Sequence, residues 1–221
     1  MNADPIAETG FGKLRGTTDG GVFVFRGVPF AQPPVGPLRF QPPQPLQPWA
    51  GVRDAIEFAP AAAQGVDPLP LASESDSNGN SEDCLTLNVW TPGLDGAHRP
   101  VLVWIHGGSF QRGSASMRAL NGARLAYRGD AVVVAIQYRL GALGFLYLND
   151  LCGDATTFPA NLGLRDQIAA LQWVRGEIGA FGGNPSNVTV FGQSAGAICA
   201  SVLLGTPAAQ GLFDRAILQS G

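Results

Sequence analysis

The hydrophobic positions of the chain fall into short continuous runs and one stripe of helical period. Runs typical of buried strands cover residues 86–90, 101–105 and 131–137. Apolar residues then recur at steps of three and four, which predicts a helix with one face against a sheet; they are Leu164, Ile168, Leu171, Val174, Ile178 and Phe181. Because strands alternate with helical segments, we predict an α/β fold with a mostly parallel sheet covered by helices on both faces.

The N-terminal region has a different pattern. Before and after a turn at residues 18–21, the residues alternate as in a strand at the edge of a sheet, which predicts an antiparallel hairpin. Eight of the seventeen prolines fall between Pro29 and Pro48, so we expect an extended arm that wraps the surface. Residues 59–80 are small and polar and predict a mobile loop. We expect residues 1–221 to form a single domain.

One serine, Ser194, lies in a G-x-S-x-G frame between two predicted elements. Residues 188–191 predict a strand, and residues 195–204 predict a helix. Glycines at 192 and 196 would leave room for a sharp strand-to-helix turn. Such a frame is expected by chance about 0.2 times in a chain of this composition, and a glycine-rich turn that binds nothing is the alternative. The flanking elements favour a nucleophile elbow.

A second glycine-rich turn follows the apolar run at residues 101–105. It reads His106, Gly107, Gly108, Ser109, Phe110. Backbone N–H groups in such a turn can approach a substrate oxygen closely, together with the N–H of the residue after the nucleophile, Ala195. Alone, this triplet is more simply a tight loop. Paired with the elbow, it predicts an oxyanion hole.

The chain resembles the N-terminal part of the type-B carboxylesterases, which include cholinesterases and bacterial p-nitrobenzyl esterases. Seven ordered blocks carry the resemblance: residues 25–40, 81–90, 103–110, 137–145, 161–174, 181–197 and 211–221. It implies an α/β-hydrolase fold and ester hydrolysis with Ser194 as nucleophile. It also implies that Gly108, Ser109 and Ala195 supply the oxyanion donors, with Gly107 shaping the loop.

Several positions depart from the family pattern. Ser109 replaces a third glycine found in many members, and Gln193 replaces a common glutamate. Cys84 occupies a position that is often half of a disulfide, but its expected partner region, residues 61–64, has no cysteine. Residues 65–80 contain no aromatic side chain that could stack on a quaternary ammonium. We therefore predict a general esterase and not a cholinesterase.

The sequence identifies neither a catalytic base nor the carboxylate that would orient it. A serine hydroxyl needs a base, which in this fold follows the nucleophile along the chain. The two histidines, His98 and His106, both precede Ser194. Asp214 is the single carboxylate after Ser194, and we expect it to make a surface pair with Arg215 or to cap a turn. We therefore expect a truncated chain, lacking the C-terminal part of the fold after the strand at residues 216–221, with an exposed apolar edge and little or no turnover alone.

Composition and charge limit the remaining classes of function and of ligand. Fourteen basic and seventeen acidic residues give a net charge of −3, so nucleic-acid binding has no electrostatic support. We see no signal peptide and no apolar stretch of membrane-spanning length, and we expect a cytoplasmic protein with no membrane partner. The three cysteines have neither disulfide nor zinc spacing. We expect a small-molecule ester as substrate and no cofactor or metal; the oligomeric state is not indicated.

Two alternatives remain open. A non-catalytic adhesion or scaffold protein could keep the same fold, although such relatives typically lose the nucleophile. A hydrolase resembling hormone-sensitive lipase shares the two glycine motifs. The proline arm and the block at residues 81–90 fit that second group poorly.

Overall fold

The computed structural model describes residues 4–65, 76–147 and 158–221. Its strands are β1 (Ile6–Thr9), β2 (Gly12–Arg15), β3 (Thr17–Asp19), β4 (Val22–Pro29), β5 (Val52–Asp54), β6 (Ala61–Ala62), β7 (Asn80–Ser81), β8 (Thr86–Thr91), β9 (Arg99–Ile105), β10 (Val132–Ile136), β11 (Gly183–Gln193) and β12 (Arg215–Gln219). Its α-helices are α1 (Ala123–Gly129), α2 (Gly141–Phe145), α3 (Leu162–Glu177) and α4 (Ala195–Leu204). Short 3₁₀ helices cover Gly36–Leu38, Arg118–Leu120, Ile178–Phe181 and Pro207–Ala209.

Within these described residues, seven strands form a central sheet in the order β12-β11-β9-β10-β8-β4-β3. The four strands from β12 to β10 are parallel, whereas β8, β4 and β3 each join antiparallel to their neighbour. The sheet is therefore mixed, and the expected parallel character belongs to one half of it.

Helices lie on both faces of the central sheet, as predicted. On one face, α3 and α4 pack Leu171, Val174 and Leu203 against the buried valines of β9, β10 and β11. On the other face, α1 lies over β10, β8 and β4, and its Ala126 belongs to a buried cluster that includes Trp90 and Val133. The predicted apolar stripe runs through α3 and continues into the 3₁₀ helix Ile178–Phe181, whose first and last residues are fully buried.

The N-terminal region contains two hairpins where the sequence predicted one. Strands β1 and β2 pair antiparallel and form a small sheet with β5. Strands β3 and β4 form a second hairpin at one edge of the central sheet. Apart from the 3₁₀ turn Gly36–Leu38, the proline-rich arm has no regular structure up to β5. Of the predicted mobile loop, residues 66–75 lie outside the described residues.

A buried ion pair joins the segment after β10 to α3. Arg139 and Asp166 are 4% and 0% exposed, and the Arg139 guanidinium donates to Asp166 from Nε at 2.8 Å and from Nη2 at 2.7 Å. The backbone N–H of Arg139 donates to the same carboxylate at 3.0 Å. Because every contact is charge-assisted, the pair fixes residues 137–140 beside the carboxyl ends of the parallel strands.

Candidate active site

Ser194 occupies a strained backbone bend between β11 and α4. Its φ and ψ are 54° and −125°, a backbone conformation that residues other than glycine rarely adopt. The Ser194 N–H donates to Gln219 O of β12 at 2.9 Å, and Ser194 O accepts from Ile198 N in the first turn of α4. These contacts hold the bend, and they leave the serine side chain half-buried at the carboxyl end of β11.

The two flanking glycines are required by close packing of main chains. A Cβ at Gly192 would lie 2.6 Å from the carbonyl of Gly196. A Cβ at Gly196 would lie 2.1 Å from Ile105 O, the last residue of the neighbouring strand β9. Since neither backbone can move aside cheaply, the predicted steric reason for both glycines holds.

The structure brings the glycine-rich loop next to Ser194. Strands β9 and β11 are parallel neighbours with Gly192 opposite Ile105, so the two turns leave the sheet at the same edge. A Cβ on Gly107 would lie 3.3 Å from Ser194 Cβ and 2.7 Å from Gln193 O. Gly107 therefore lies against the bend at Ser194.

The next two loop residues have left-handed backbone conformations. Gly108 and Ser109 have φ values of 119° and 56°. Among the described residues, no acceptor binds the N–H of Gly108 or Ser109. Ala195 is the first residue of α4, so its N–H has no intrahelical acceptor. Three uncommitted N–H groups thus lie on the two turns around Ser194.

His106 lies beneath the loop and supports it. Its ring is fully buried, stacks on Tyr138 with ring centroids 4.4 Å apart, and places Nδ1 2.9 Å from Gly107 O. Because a carbonyl only accepts, Nδ1 carries the proton and Nε2 is unprotonated, with no partner among the described residues. Burial lowers the pKa of His106 to about 4, so the ring is neutral at neutral pH.

The sequence did not predict the role of residues 137 and 138. Tyr138 Oη donates to His106 O at 2.8 Å. Gln137 accepts from Ala115 N at 3.1 Å and donates to Ser114 Oγ at 3.0 Å, so it fixes the far end of the loop. No local pattern marks either residue, because each acts on a segment more than twenty positions away.

Neither histidine of the chain is placed to take a proton from Ser194. His106 faces Gly107 O, and His98 is exposed in the turn before β9. Asp214 accepts from Val188 N of β11 at 2.8 Å, and Arg215 donates to Asn187 Oδ1. The structure therefore shows neither the expected surface pair of Asp214 with Arg215 nor the alternative turn cap.

An open pocket of about 890 Å³ adjoins the loop through Ser109, Phe110 and Gln111. Its other walls come from Ala63, Gln64 and the segment from Leu140 to Leu146. Ser194 does not line this pocket. The pocket therefore lies beside the glycine-rich loop and not at Ser194 itself.

Cys84 and Cys199 are buried free thiols, and burial raises the pKa of each. The third cysteine, Cys152, lies outside the described residues. In the described part of the chain, no helix has the length and apolar character needed to cross a lipid bilayer.

Comparisons with known proteins agree with this architecture. The model of the carboxylesterase family matches residues 3–221. The chain belongs to the carboxylesterase family. It is 47% identical over 216 residues to the para-nitrobenzyl esterase of Bacillus subtilis (strain 168), covering 98% of this chain and 43% of that protein. It is 47% identical over 222 residues to the phenmedipham hydrolase of Pseudarthrobacter oxydans, covering 100% of this chain and 43% of that protein.

Solved carboxylesterases share the fold. The structure of a Geobacillus stearothermophilus carboxylesterase superposes with a TM-score of 0.90 and 50% identity, covering 98% of this chain and 43% of that one. A thermophilic p-nitrobenzyl esterase gives a TM-score of 0.92 at 46% identity, covering 99% and 44%. The predicted α/β-hydrolase fold is confirmed, and the chain spans less than half the length of these relatives.

Proposed function

We propose that this chain carries the nucleophile and the oxyanion hole of an enzyme that hydrolyses carboxylic esters. The observation that supports it is the strained backbone bend at Ser194. Its Cβ lies 3.3 Å from where a Cβ on Gly107 would be, and three N–H groups without an acceptor among the described residues lie on the two turns. The chain's family and the esterase names of its relatives support the same reaction class. We expect a small-molecule ester as substrate.

In the proposed reaction, Ser194 Oγ attacks the ester carbonyl carbon and the carbonyl oxygen becomes an oxyanion. The N–H groups of Gly108, Ser109 and Ala195 would donate to that oxygen, and each such donor is worth about 3 kcal/mol of transition-state stabilisation. Collapse of the intermediate expels the alcohol and leaves an acyl-enzyme. Water then attacks the acyl-enzyme and releases the acid.

The proton acceptor is the decisive missing part. Without a base, the Ser194 hydroxyl is a poor nucleophile at neutral pH. Since neither histidine is placed to take the proton from Ser194, we propose that the acceptor and its carboxylate come from the portion of the relatives that this chain does not span. The 221-residue chain alone is then expected to show little or no turnover.

A chimera tests both parts of the proposal. The 221 residues would replace the matching 216 residues of the B. subtilis esterase, which then supplies the remaining 57% of its own length. The chimera should hydrolyse p-nitrophenyl acetate, and Ser194→Ala should reduce its kcat by more than about 10³-fold because nucleophile activation is lost. The 221-residue chain alone should be slower than the chimera by a similar factor.

Ser201→Ala is the matched control, because Ser201 is exposed on α4 a little beyond the elbow. It should leave kcat unchanged. A folded chimera whose rate does not depend on Ser194 would contradict the nucleophile assignment. Turnover by the chain alone at the chimera's rate would contradict the placement of the base.

A cytoplasmic location belongs to the same proposal. It is supported by the two buried unpaired thiols, which suit a reducing compartment.

A further inference from the structure

Gln64 makes a two-point contact with the backbone of Gly113. Its Oε1 accepts from Gly113 N at 2.9 Å, and its Nε2 donates to Gly113 O at 2.9 Å. The same Nε2 also donates to Ala62 O at 3.0 Å. One side-chain amide therefore satisfies both backbone groups of one loop residue, which fixes the orientation of Gly113 as well as its position.

Gly113 in turn packs directly against the peptide that precedes Gly108. A Cβ at Gly113 would lie 2.3 Å from Gly107 O and 2.5 Å from His106 Nδ1. Gly107 O is also the acceptor for His106 Nδ1. The Gly107 carbonyl is thus enclosed between the buried imidazole and the backbone that Gln64 holds.

The planarity of the peptide bond carries this constraint to the oxyanion hole. Gly107 C=O and Gly108 N–H belong to one trans peptide, so they point in opposite directions. Fixing Gly107 O toward Gly113 and His106 therefore fixes where the Gly108 N–H points. A rotation of this peptide would turn one of the proposed donors away from the substrate oxygen.

The segment that carries Gln64 is itself held in place. Strand β6 pairs with β7, and Asn80 Nδ2 donates to Gln64 O at 3.2 Å. The far end of the loop is held by Gln137, and Phe110 O accepts from Gly141 N at 2.7 Å. Gln64 therefore contacts the loop from a different segment of the chain than Gln137 and Gly141 do.

We propose that Gln64 is a positioning residue for the oxyanion loop: by holding Gly113, it orients the Gly107–Gly108 peptide for transition-state binding. This inference rests on the proposed function. It goes beyond that function in giving a role to a residue outside both glycine motifs.

Gln64→Met in the chimera tests the proposal, because methionine keeps the length of the side chain and removes all three hydrogen bonds. We expect kcat per active site to fall on the order of tenfold or more, with KM within about twofold, since a misaligned donor weakens transition-state binding selectively. Titration of Ser194 with a fluorophosphonate gives the number of competent sites. A purely structural role would lower the amount of folded protein and leave kcat per titrated site unchanged.

Gln32→Met is the matched control. Gln32 is also partly buried and donates from Nε2 to a backbone carbonyl, Pro45 O, at 2.8 Å, but it lies in the proline arm. Gln64→Glu adds a second readout. Below the pKa of the new carboxyl group, the acid can again accept and donate at Gly113, so its rate relative to wild type should rise as the pH falls.

The two hypotheses fail differently. Unchanged hydrolysis in Ser194→Ala would overturn the proposed function, whereas Ser194-dependent hydrolysis with kcat per site unchanged in Gln64→Met would overturn this inference alone. If the Gln64→Met chimera does not fold, amide exchange at Gly113 in the 221-residue chain decides. Faster exchange in Gln64→Met than in wild type is expected, and equal exchange would overturn the inference.

Discussion

At the residue scale, the bend at Ser194 depends on contacts between main chains that admit no extra atom. Gly196 faces Ile105 O across the gap between α4 and β9. The contact involves backbone on both sides, so no rotamer change can relieve it.

Gly196→Ala should therefore destabilise the fold by about 3 kcal/mol, at the upper end of the range for overpacking. Urea unfolding of the purified chain measures the change. Gly176→Ala is the matched control, because Gly176 is exposed near the end of α3 with no atom within 4 Å of its Cβ position. There alanine should stabilise the helix by up to about 1 kcal/mol. Equal effects of the two substitutions would contradict the packing explanation.

His106 makes stability depend on pH. Its pKa is about 4 in the folded chain because of burial, against an ordinary value of 6.5. Above pH 6.5 both states are neutral and the stability is full. As the pH falls from 6.5 to 4, the unfolded chain binds the proton first, and about 3 kcal/mol is lost.

Unfolding free energies between pH 7.5 and 4.5 test this dependence. His106→Gln removes the titrating ring, so the variant should lose less stability across this window than the parent chain does. His98→Gln, at the exposed histidine, controls for the change of residue type. A His106→Gln variant with the parent's pH slope would show that the buried ring does not contribute.

At the element scale, strand and turn patterns predicted the elbow well. The run at residues 101–105 corresponds to β9, and the helix predicted over residues 195–204 matches α4. The glycine frame predicted the bend itself, because only a few backbone conformations connect a buried strand to a helix so abruptly.

The contacts that hold the glycine-rich loop were not predictable in the same way. Gln64 acts on Gly113, and Tyr138 acts on His106, across separations of 49 and 32 residues. Periodicity reports which face of an element is buried, and it carries no information about which distant backbone group a side chain will meet. The antiparallel half of the sheet was missed for a related reason, since a run of apolar residues does not reveal strand direction.

At the scale of the whole molecule, the described sheet has an open edge beside the elbow. Strand β12 pairs with β11 on one side and with no described strand on the other. Ile217 and Leu218 on this strand are 49% and 45% exposed. An unpaired apolar strand is a template for association with a second chain.

The 221-residue chain should therefore self-associate, and Ile217→Lys should shift the population toward monomer because a charge on the strand opposes pairing. Sedimentation velocity over a range of concentrations measures the distribution. Val52→Lys is the control, since Val52 is similarly exposed, at 51%, on β5 at the edge of the small sheet. A monomeric parent chain, or an equal effect of both lysines, would contradict the role of β12.

The pairing of β9 with β11 has a consequence for engineering. Ile105, Gly192 and Gly196 form one rigid unit, whereas Ser109 and Gln111 present side chains to the neighbouring pocket. A directed-evolution library at 109 and 111 would vary the shape of that pocket on an intact frame. The same diversity at 192 and 196 would mostly yield chains that never reach the folded state.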